Sequence, residues 1–241
     1  MLEQAGLKPA GLDIVPCALF RSFERSLRRQ EDKEQTFVFI DIGGEYTTMV
    51  FGRSGQISFI KQIAIGGEQL NQNIAARLGV SVEEAAALRD KLRTETSFGP
   101  SALTSESGEG ESAGQGQLDV SVRQNIIDSI NSAAEELSRE ISLCFRYYTV
   151  TFRGKRIERA IFSGGQAYDN ILLSSLRRQL TVEIEVAQPI RGFNISRSNG
   201  AGLDSDRRGF LCEWTVAVGL CLKLWKPFGS EAVRSVEYAG N

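Results

Sequence analysis

The chain has 241 residues, of which 41% are hydrophobic and 24% are charged, and its formal net charge is −2. This length supplies an ordinary buried core for one large domain or two small lobes. The slightly acidic balance argues against a general nucleic-acid binder, because affinity for a phosphate backbone requires a cationic surface.

The histidine and cysteine content of the chain limits its possible chemistry. The sequence has no histidine, and its four cysteines, Cys17, Cys144, Cys212 and Cys221, are widely spaced without a C-x-x-C pair. Zinc sites and histidine-based catalysis are therefore excluded. Each cysteine lies in an apolar run, which favours buried thiols in a reducing compartment. Without a signal-peptide pattern or an apolar stretch of about 18 residues, a cytoplasmic protein with no membrane span is expected.

The first half of the chain predicts a helix, three strands and two further helices. An extended piece at 11–15 precedes a helix that begins near Pro16 and continues through Leu27. The apolar run at 36–42 predicts a strand buried on both faces, and strands at 46–51 and 56–64 form a hairpin around residues 52–55. A helix then ends at Gly79, and the capping box at 81–84 starts another that reaches about residue 92.

The second half predicts a mixed sheet completed by helices. Residues 94–118 are dominated by Ser, Gly, Glu and Thr, which predicts a mobile loop. A long helix with its apolar stripe between Ile126 and Phe145 follows. After it come a strand at 157–162, a helix containing 171–180, a strand at 182–186 and a helix from about 210 to 224. This order predicts an α/β fold with a mixed sheet.

Two of the predicted strands end in a glycine pair. The first reads Asp41-Ile-Gly-Gly-Glu-Tyr-Thr-Thr48 and the second Ser163-Gly-Gly-Gln166. Amides beside glycine can approach an anion, threonine hydroxyls can donate to its oxygens, and a nearby aspartate can hold hydrated Mg²⁺. Each turn alone is also compatible with a purely structural bend, since glycine is common between the elements of α/β folds.

The order of the motifs is more specific than any one of them. Along the chain they are Ala5-Gly-Leu-Lys-Pro9, the Asp41 turn, Ile63-Ala-Ile-Gly-Gly67, Glu83-Glu-Ala85, Arg139-Glu-Ile141, Arg146-Tyr-Tyr148 and Ser163-Gly-Gly-Gln-Ala167. This succession resembles the actin-like ATPase superfamily, and within it the PilM family of type IV pilus assembly proteins, over nearly the whole chain. The resemblance implies an actin-like, ribonuclease H-like fold, mainly its second lobe.

The resemblance also implies a site for ATP and Mg²⁺. The family's second phosphate turn falls on Asp41, Gly43, Gly44, Thr47 and Thr48, with Asp41 holding Mg²⁺ through water. The adenosine turn falls on Ser163, Gly164, Gly165 and Gln166. Gly66, Gly67 and the helix that carries Glu84 and Arg89 are expected to line the other flank of the nucleotide. The family usually has lysine where this chain has Arg89, and the two differ in reach and geometry.

The chain departs from the family at its beginning. PilM-like proteins start with a hairpin that holds a first phosphate loop, followed by an inserted subdomain that receives a peptide of the membrane protein PilN, and neither occurs among these 241 residues. We therefore expect residues 1–35 to be a remnant of the first lobe with its connecting helix, and 36–241 to be the second lobe. One lobe supplies one wall of a nucleotide cleft.

The function implied by the resemblance is a cytoplasmic, ATP-binding scaffold at the inner membrane. Its implied partners are a PilN-like membrane protein and other pilus assembly components, with self-association possible. Hydrolysis is expected to be at most weak, because one lobe supplies only one wall of the cleft. The sequence names no catalytic base, which by itself does not exclude an ATPase. One alternative is a degenerate actin-like interaction module without nucleotide; others are a division or secretion-system protein similar to FtsA or GspL, and a sugar-kinase-like enzyme.

Overall fold

The computed structural model describes residues 3–6, 12–24, 35–97, 118–152, 156–191, 193 and 211–224. Within them five strands form one sheet: β1 (Thr36–Ile42), β2 (Thr47–Arg53), β3 (Gln56–Ile63), β4 (Arg159–Ser163) and β5 (Glu183–Val186). Six helices accompany the sheet: α1 (Val15–Glu24), α2 (Gly67–Leu78), α3 (Val82–Ser97), α4 (Val120–Thr151), α5 (Asn170–Gln179) and α6 (Thr215–Leu224). The α/β class predicted from the sequence is confirmed.

The sheet is mixed, in the order β3-β2-β1-β4-β5. The first three strands are antiparallel neighbours, whereas β4 pairs with β1 and β5 pairs with β4 in parallel. The turn between β2 and β3 has positive φ at both Ser54 and Gly55, 53° and 73°, which suits the twist of a tight hairpin. The parallel strands β1, β4 and β5 therefore end at the same edge of the sheet.

Helices cover both faces of the sheet. Phe23 of α1 stacks on Phe39 of β1 at a centroid distance of 4.7 Å, while Tyr148 of α4 stacks on Phe51 of β2 at 4.8 Å. The cross-strand partner of Phe51 is Val38, so Phe51 and Phe39 point to opposite faces. Strand β1 is consequently buried on both sides, as its continuous apolar run predicts.

Local sequence signals set the helix ends around α2 and α3. Gly79 adopts a left-handed conformation with φ 68°, and its amide donates to the Ala75 carbonyl at 2.9 Å. The Ser81 amide donates to the Glu84 carboxylate at 3.0 Å and the Glu84 amide donates to the Ser81 hydroxyl at 3.2 Å, which is the predicted capping box.

Several predicted boundaries are wrong. Residue 15 belongs to α1 rather than to an extended piece, and Gly52 lies inside β2 rather than in the hairpin turn. Helix α3 reaches Ser97, so residues 94–97 of the predicted loop at 94–118 are helical. Thr94 Oγ1 donates to the Asp90 carbonyl one turn back, at 2.9 Å, and the Glu95 carboxylate lies 3.9 Å from the guanidinium of Arg123. Residues 98–117, and the predicted continuation of α1 to Leu27, lie outside the described residues.

Two further expectations concern the whole chain. None of the described helices is long and apolar enough to cross a membrane. The division into a first-lobe remnant at 1–35 and a second lobe at 36–241 stays a prediction.

Candidate functional site

The site is built where the parallel strands β1 and β4 end side by side. Asp41 and Ser163 are partners in the register of the two strands, and the Ser163 hydroxyl donates to Asp41 Oδ1 at 2.9 Å. Ligands of open α/β sheets bind outside the carboxyl ends of strands, because the backbone turns away there and leaves a crevice. The two strand ends that the sequence singles out are therefore adjacent.

The Asp41 carboxylate is mostly buried, and one of its oxygens accepts the hydrogen bond from Ser163. Burial raises the pKa of this carboxyl above its ordinary value, and the hydrogen bond from Ser163 acts in the opposite direction. Within the described residues, no hydrogen bond reaches its second oxygen. A desolvated carboxylate of this kind is stabilised by a cation. The environment therefore fits hydrated Mg²⁺, which proteins hold through one or two carboxylates together with phosphate oxygens.

The Gly43–Gly44 turn is fastened to the start of α2. The Gly67 and Glu68 amides donate to the carbonyls of Gly43 and Gly44 at 3.0 and 2.8 Å. A Cβ on Gly66 would overlap the Gly44 carbonyl, so glycine at this position permits the close approach. The amides of Gly67 and Glu68 thus hold the Gly43–Gly44 turn in place, and these two amides are not themselves available to a ligand.

The second turn is fixed by the short segment that precedes α6. Gly164 has φ 89°, and a Cβ there would overlap the Ile42 carbonyl and lie 2.9 Å from Asp41 Oδ1. Its amide donates to the Cys212 carbonyl at 3.1 Å. In the same segment, the hydroxyl of Tyr168 donates to the carboxylate of Glu213. Residues distant in sequence therefore converge on the Ser163–Gln166 turn.

Two of the predicted glycines face open space. A Cβ on Gly44 or on Gly165 would meet no other atom within 4 Å. Their neighbours Gly43, Gly66, Gly67 and Gly164 are each crowded by backbone or side-chain atoms. The structure thus separates glycines that shape the site from those whose missing side chains leave room beside it.

The predicted threonine ligands are turned into the protein. Thr47 is fully buried, and its hydroxyl donates to the Ile65 carbonyl at 2.7 Å. Thr48 is 5% exposed and is the cross-strand partner of Asp41. Since the Thr47 proton is already used within the protein, this side chain connects β2 to the segment before α2 instead of donating to a phosphate in this conformation.

Arg89 lies within the predicted site but is committed to protein partners. Its guanidinium donates to Asp169 Oδ2 at 2.8 and 3.1 Å and to Gln166 Oε1 at 2.7 Å. Weaker contacts reach the Gly67 carbonyl and the Asn71 amide oxygen at 3.5 and 3.3 Å. Burial lowers the pKa of Arg89, while the charge of Asp169 opposes that effect. Arg89 therefore joins the start of α2 to the Ser163–Gln166 turn, instead of pointing towards a ligand.

Glu84 does not meet the other predicted residues. It is exposed on the first turn of α3, where its carboxylate accepts from the Ser81 amide. The carboxylate completes a helix cap, which is the role that the sequence pattern itself indicates.

Sequence reasoning missed three contributors to this region. Asp169 caps α5 by accepting from the Ile171 and Leu172 amides, both at 3.1 Å, and an aspartate before a predicted helix could have indicated this. Arg93, one turn after Arg89, donates to the Gly165 carbonyl at 3.0 Å. Cys212 had no signal, because its approach to Gly164 depends on the tertiary fold alone.

Comparisons with known proteins identify what the chain is similar to. Residues 1–100 match the family model described as type IV pilus assembly protein PilM. The cell division protein FtsA of Bacillus subtilis is 24% identical over 188 residues, which cover 78% of this chain and 41% of FtsA.

Solved structures share the fold at low sequence identity. A PilM-PilN type IV pilus biogenesis complex matches with a TM-score of 0.67 and 21% identity, covering 92% of this chain and 55% of that one. The ethanolamine utilization protein EutJ of Carboxydothermus hydrogenoformans matches with a TM-score of 0.57 and 16% identity, covering 92% and 57%. The chain spans about half the length of these relatives. Residues 1–100 are thus similar to the PilM family, and the chain shares the fold of the PilM-PilN complex.

Proposed function

We propose that the chain is a cytoplasmic, ATP-binding scaffold of type IV pilus assembly that acts beside the inner membrane. The observation that carries the proposal is the convergence of Asp41, the Gly43–Gly44 turn and the Gly164–Gly165 turn at one edge of the sheet. Glycine turns beside a carboxylate at strand ends are suited to phosphate groups and their metal ion.

The residues of the site divide between contacts to the nucleotide and contacts within the protein. Asp41 holds the water shell of Mg²⁺, the turn around Gly44 receives the terminal phosphates, and the backbone around Gly165 lies against the ribose and purine. Bound Mg²⁺ supplies charge neutralisation between the phosphate oxygens. Arg89 and Arg93 act on the protein side, because they fix Gln166 and the Gly165 carbonyl.

Binding is proposed here rather than turnover. Phosphoryl transfer requires a positioned attacking group as well as a neutralised phosphate. Asp41 and its Mg²⁺ would neutralise the phosphate, but no residue of the proposed site is assigned to position the attacking group. A nucleotide would then organise the fold for assembly with a PilN-like inner-membrane protein, a partner suggested by the similarity to the PilM-PilN complex.

The FtsA similarity supports a second candidate. A division or secretion-system assembly protein would retain the fold. A third possibility, an actin-like interaction module that has lost its nucleotide, would retain the fold without requiring Asp41, so it differs from the first candidate. These two differ in whether Mg²⁺ and ATP stabilise the protein together.

Thermal unfolding with ATP, with Mg²⁺ and with both tests nucleotide use. A ligand that binds only the folded chain stabilises it by about 1.4 kcal/mol at ten times its Kd, which raises Tm by about 3–6 °C at this size. We expect the rise to need both components and to be largely lost in Asp41→Asn. The matched control is Asp128→Asn, since the Asp128 carboxylate pairs with Arg77 at an exposed position on α4.

A glycine substitution separates binding from folding. Gly165→Ala places a methyl group in open space, so the free energy of unfolding should change by less than about 1 kcal/mol. The same methyl group would obstruct a nucleotide, and the Tm rise with Mg²⁺ and ATP should shrink. No rise in any of the three proteins would favour the interaction module, and equal rises in all three would mean that nucleotide binds away from Asp41 and Gly165.

A further inference from the structure

The outer edge of the sheet offers a surface that the nucleotide site does not use. Strand β3 is the terminal strand on the side away from β4, and in the described residues only β2 makes backbone hydrogen bonds to it. An edge strand carries unpaired amide and carbonyl groups, which are a template for a further strand. Ile60, in the second half of β3, is 37% exposed.

An aromatic rim lies along this edge. The Phe59 ring of β3 contacts Tyr147 and Phe152 at the end of α4, with centroid distances of 5.4 and 5.7 Å. Tyr147 is 54% exposed and Phe152 is 45% exposed. The open edge of β3 is thus bordered by apolar surface on the side of α4.

The rim continues as a stripe on α4. Leu143, Tyr147 and Val150 share one helix face through their spacing, and they are 45%, 54% and 80% exposed. Earlier positions on the same face are charged, namely Glu136 and Glu140. The exposed stripe changes from charged to apolar where α4 runs beside β3, and contiguous apolar surface of this kind is typical of interaction sites.

Beyond Glu140, the charges along β2, β3 and the end of α4 have one sign. Residues 47–63 and 141–152 include Arg53, Lys61 and Arg146 but no Asp or Glu, although the whole chain carries −2. The Cys144 thiol, whose pKa is raised by burial, also experiences the charges of Lys61 and Glu140, which places Lys61 beside α4. Lys61 is therefore an exposed cation of the edge strand on the side of α4.

We propose that β3 and the end of α4 bind an extended, acidic segment of a partner protein. The segment adds to β3 as a sixth strand, sets its apolar side chains against Tyr147 and Val150, and places its carboxylates near Lys61 and Arg53. Strand addition combines affinity from backbone hydrogen bonds with specificity from alternate side chains. A second copy of the chain fits less well, because it would bring the cations of both copies together.

Selection from a display library of random peptides of about twelve residues, with the full chain as bait, tests the proposal. The selected peptides should be acidic with alternating apolar residues. In fluorescence polarisation, Lys61→Glu and Val150→Ser should each lower the affinity of the chain for the selected peptides, and the charge reversal should lower it by about tenfold or more. Amide exchange at residues 57–62 should slow when a peptide binds, as expected for a newly paired strand. Asp41→Asn should leave this binding unchanged, which separates it from the proposed nucleotide function.

The chain supplies matched controls. Lys91→Glu reverses a lysine on the exposed side of α3, and Val120→Ser changes a valine that is 82% exposed at the opposite end of α4. Both should bind the peptides as the native chain does. Selection of no peptide or of basic peptides, or binding that survives Lys61→Glu, would overturn the proposal. So would concentration-dependent dimers or binding to phosphatidylglycerol vesicles that depends on Lys61 and Val150, because the surface would then face a second copy or a membrane.

Discussion

Arg89 and Asp169 form an ion pair away from solvent. Their side chains are 4% and 1% exposed, and the two closest atoms lie 2.8 Å apart. Removal of one partner leaves the other charge buried without compensation, which costs about 3–5 kcal/mol. We therefore expect Arg89→Met to lower the free energy of unfolding by this amount in urea denaturation.

Two further variants distinguish geometry from charge. Arg89→Lys keeps the charge but lacks the planar fork with which the guanidinium bonds both Asp169 and Gln166, so it should recover only part of the lost stability. Arg77→Met removes an exposed partner of Asp128 and should cost no more than about 1 kcal/mol. A lysine variant as stable as the native chain would show that the fork of hydrogen bonds is unimportant.

The raised pKa of Asp41 predicts a pH-dependent cost to the fold. Between the ordinary value of about 4 and the raised one, the folded chain binds more protons than the unfolded chain. The free energy of unfolding therefore falls as pH rises through this window, and it stays lower above it. Asp41→Asn removes this loss, so without nucleotide the stability of the variant relative to the native chain should increase across the window and then level off.

Urea titrations at several pH values, with Mg²⁺ absent, measure this difference. Asp128→Asn serves as the control, and its stability relative to the native chain should not follow the same curve. A difference for Asp41→Asn that is the same at every pH would contradict the assignment. The confirmed pattern would mean that the carboxylate is kept at the expense of stability, as expected for a residue retained for a ligand.

Residue patterns could locate this site only in part. The Asp41 and Ser163 turns are local signals, and the parallel register of β1 and β4 then brings them together. The partner of Arg89 is 80 positions away, so no spacing rule could identify it. The direction of the Thr47 hydroxyl depends on how β2 packs against the residues before α2, which the motif does not encode.

Among the elements, helices α1 and α6 approach each other closely. A Cβ on Gly219 of α6 would overlap the Ala18 carbonyl of α1, and the Arg21 guanidinium donates to the Gly219 carbonyl at 2.7 Å. In an isolated helix, replacement of glycine by alanine stabilises the helix by about 1 kcal/mol. Here we expect Gly219→Ala to destabilise by about 1–3 kcal/mol, since the helices must move apart.

Chemical denaturation of Gly219→Ala and Ala217→Ser measures this effect. Ala217 is exposed on the same helix, so its substitution should change the free energy of unfolding by only about 0.5 kcal/mol. Stabilisation by Gly219→Ala would mean that α6 is not held against α1 in solution. Helix propensity alone predicts that Gly219→Ala stabilises the chain, whereas the contact with α1 predicts that it destabilises the chain. The sign of the measured change therefore decides between the two.

Element types were more predictable than contacts between elements. The apolar run of β1, the glycine cap of α2 and the capping box of α3 are local features that act within a few residues. The α1–α6 contact joins segments about 200 positions apart, and a glycine inside a predicted helix gives no information about its partner.

At the scale of the whole molecule, one hydrophobic cluster links these distant parts. Cys144 of α4 and Cys212, just before α6, both belong to it, whereas Cys221 is exposed. Burial raises the pKa of both buried thiols, that of Cys212 to about 11. The folded chain should therefore protect Cys144 and Cys212 from alkylation, whereas Cys221 is exposed to the reagent and Cys17 is partly exposed.

The rates at which these thiols are alkylated in increasing urea test whether the molecule opens as one unit. Mass spectrometry should find Cys144 and Cys212 modified over the same range of urea, because a shared core opens cooperatively, with Cys221 already modified in its absence. If Cys212 reacts while Cys144 is still protected, the segment before α6 detaches by itself. The Gly164 turn would then lose its Cys212 partner before the core unfolds, and the site would be more labile than the sheet that carries it.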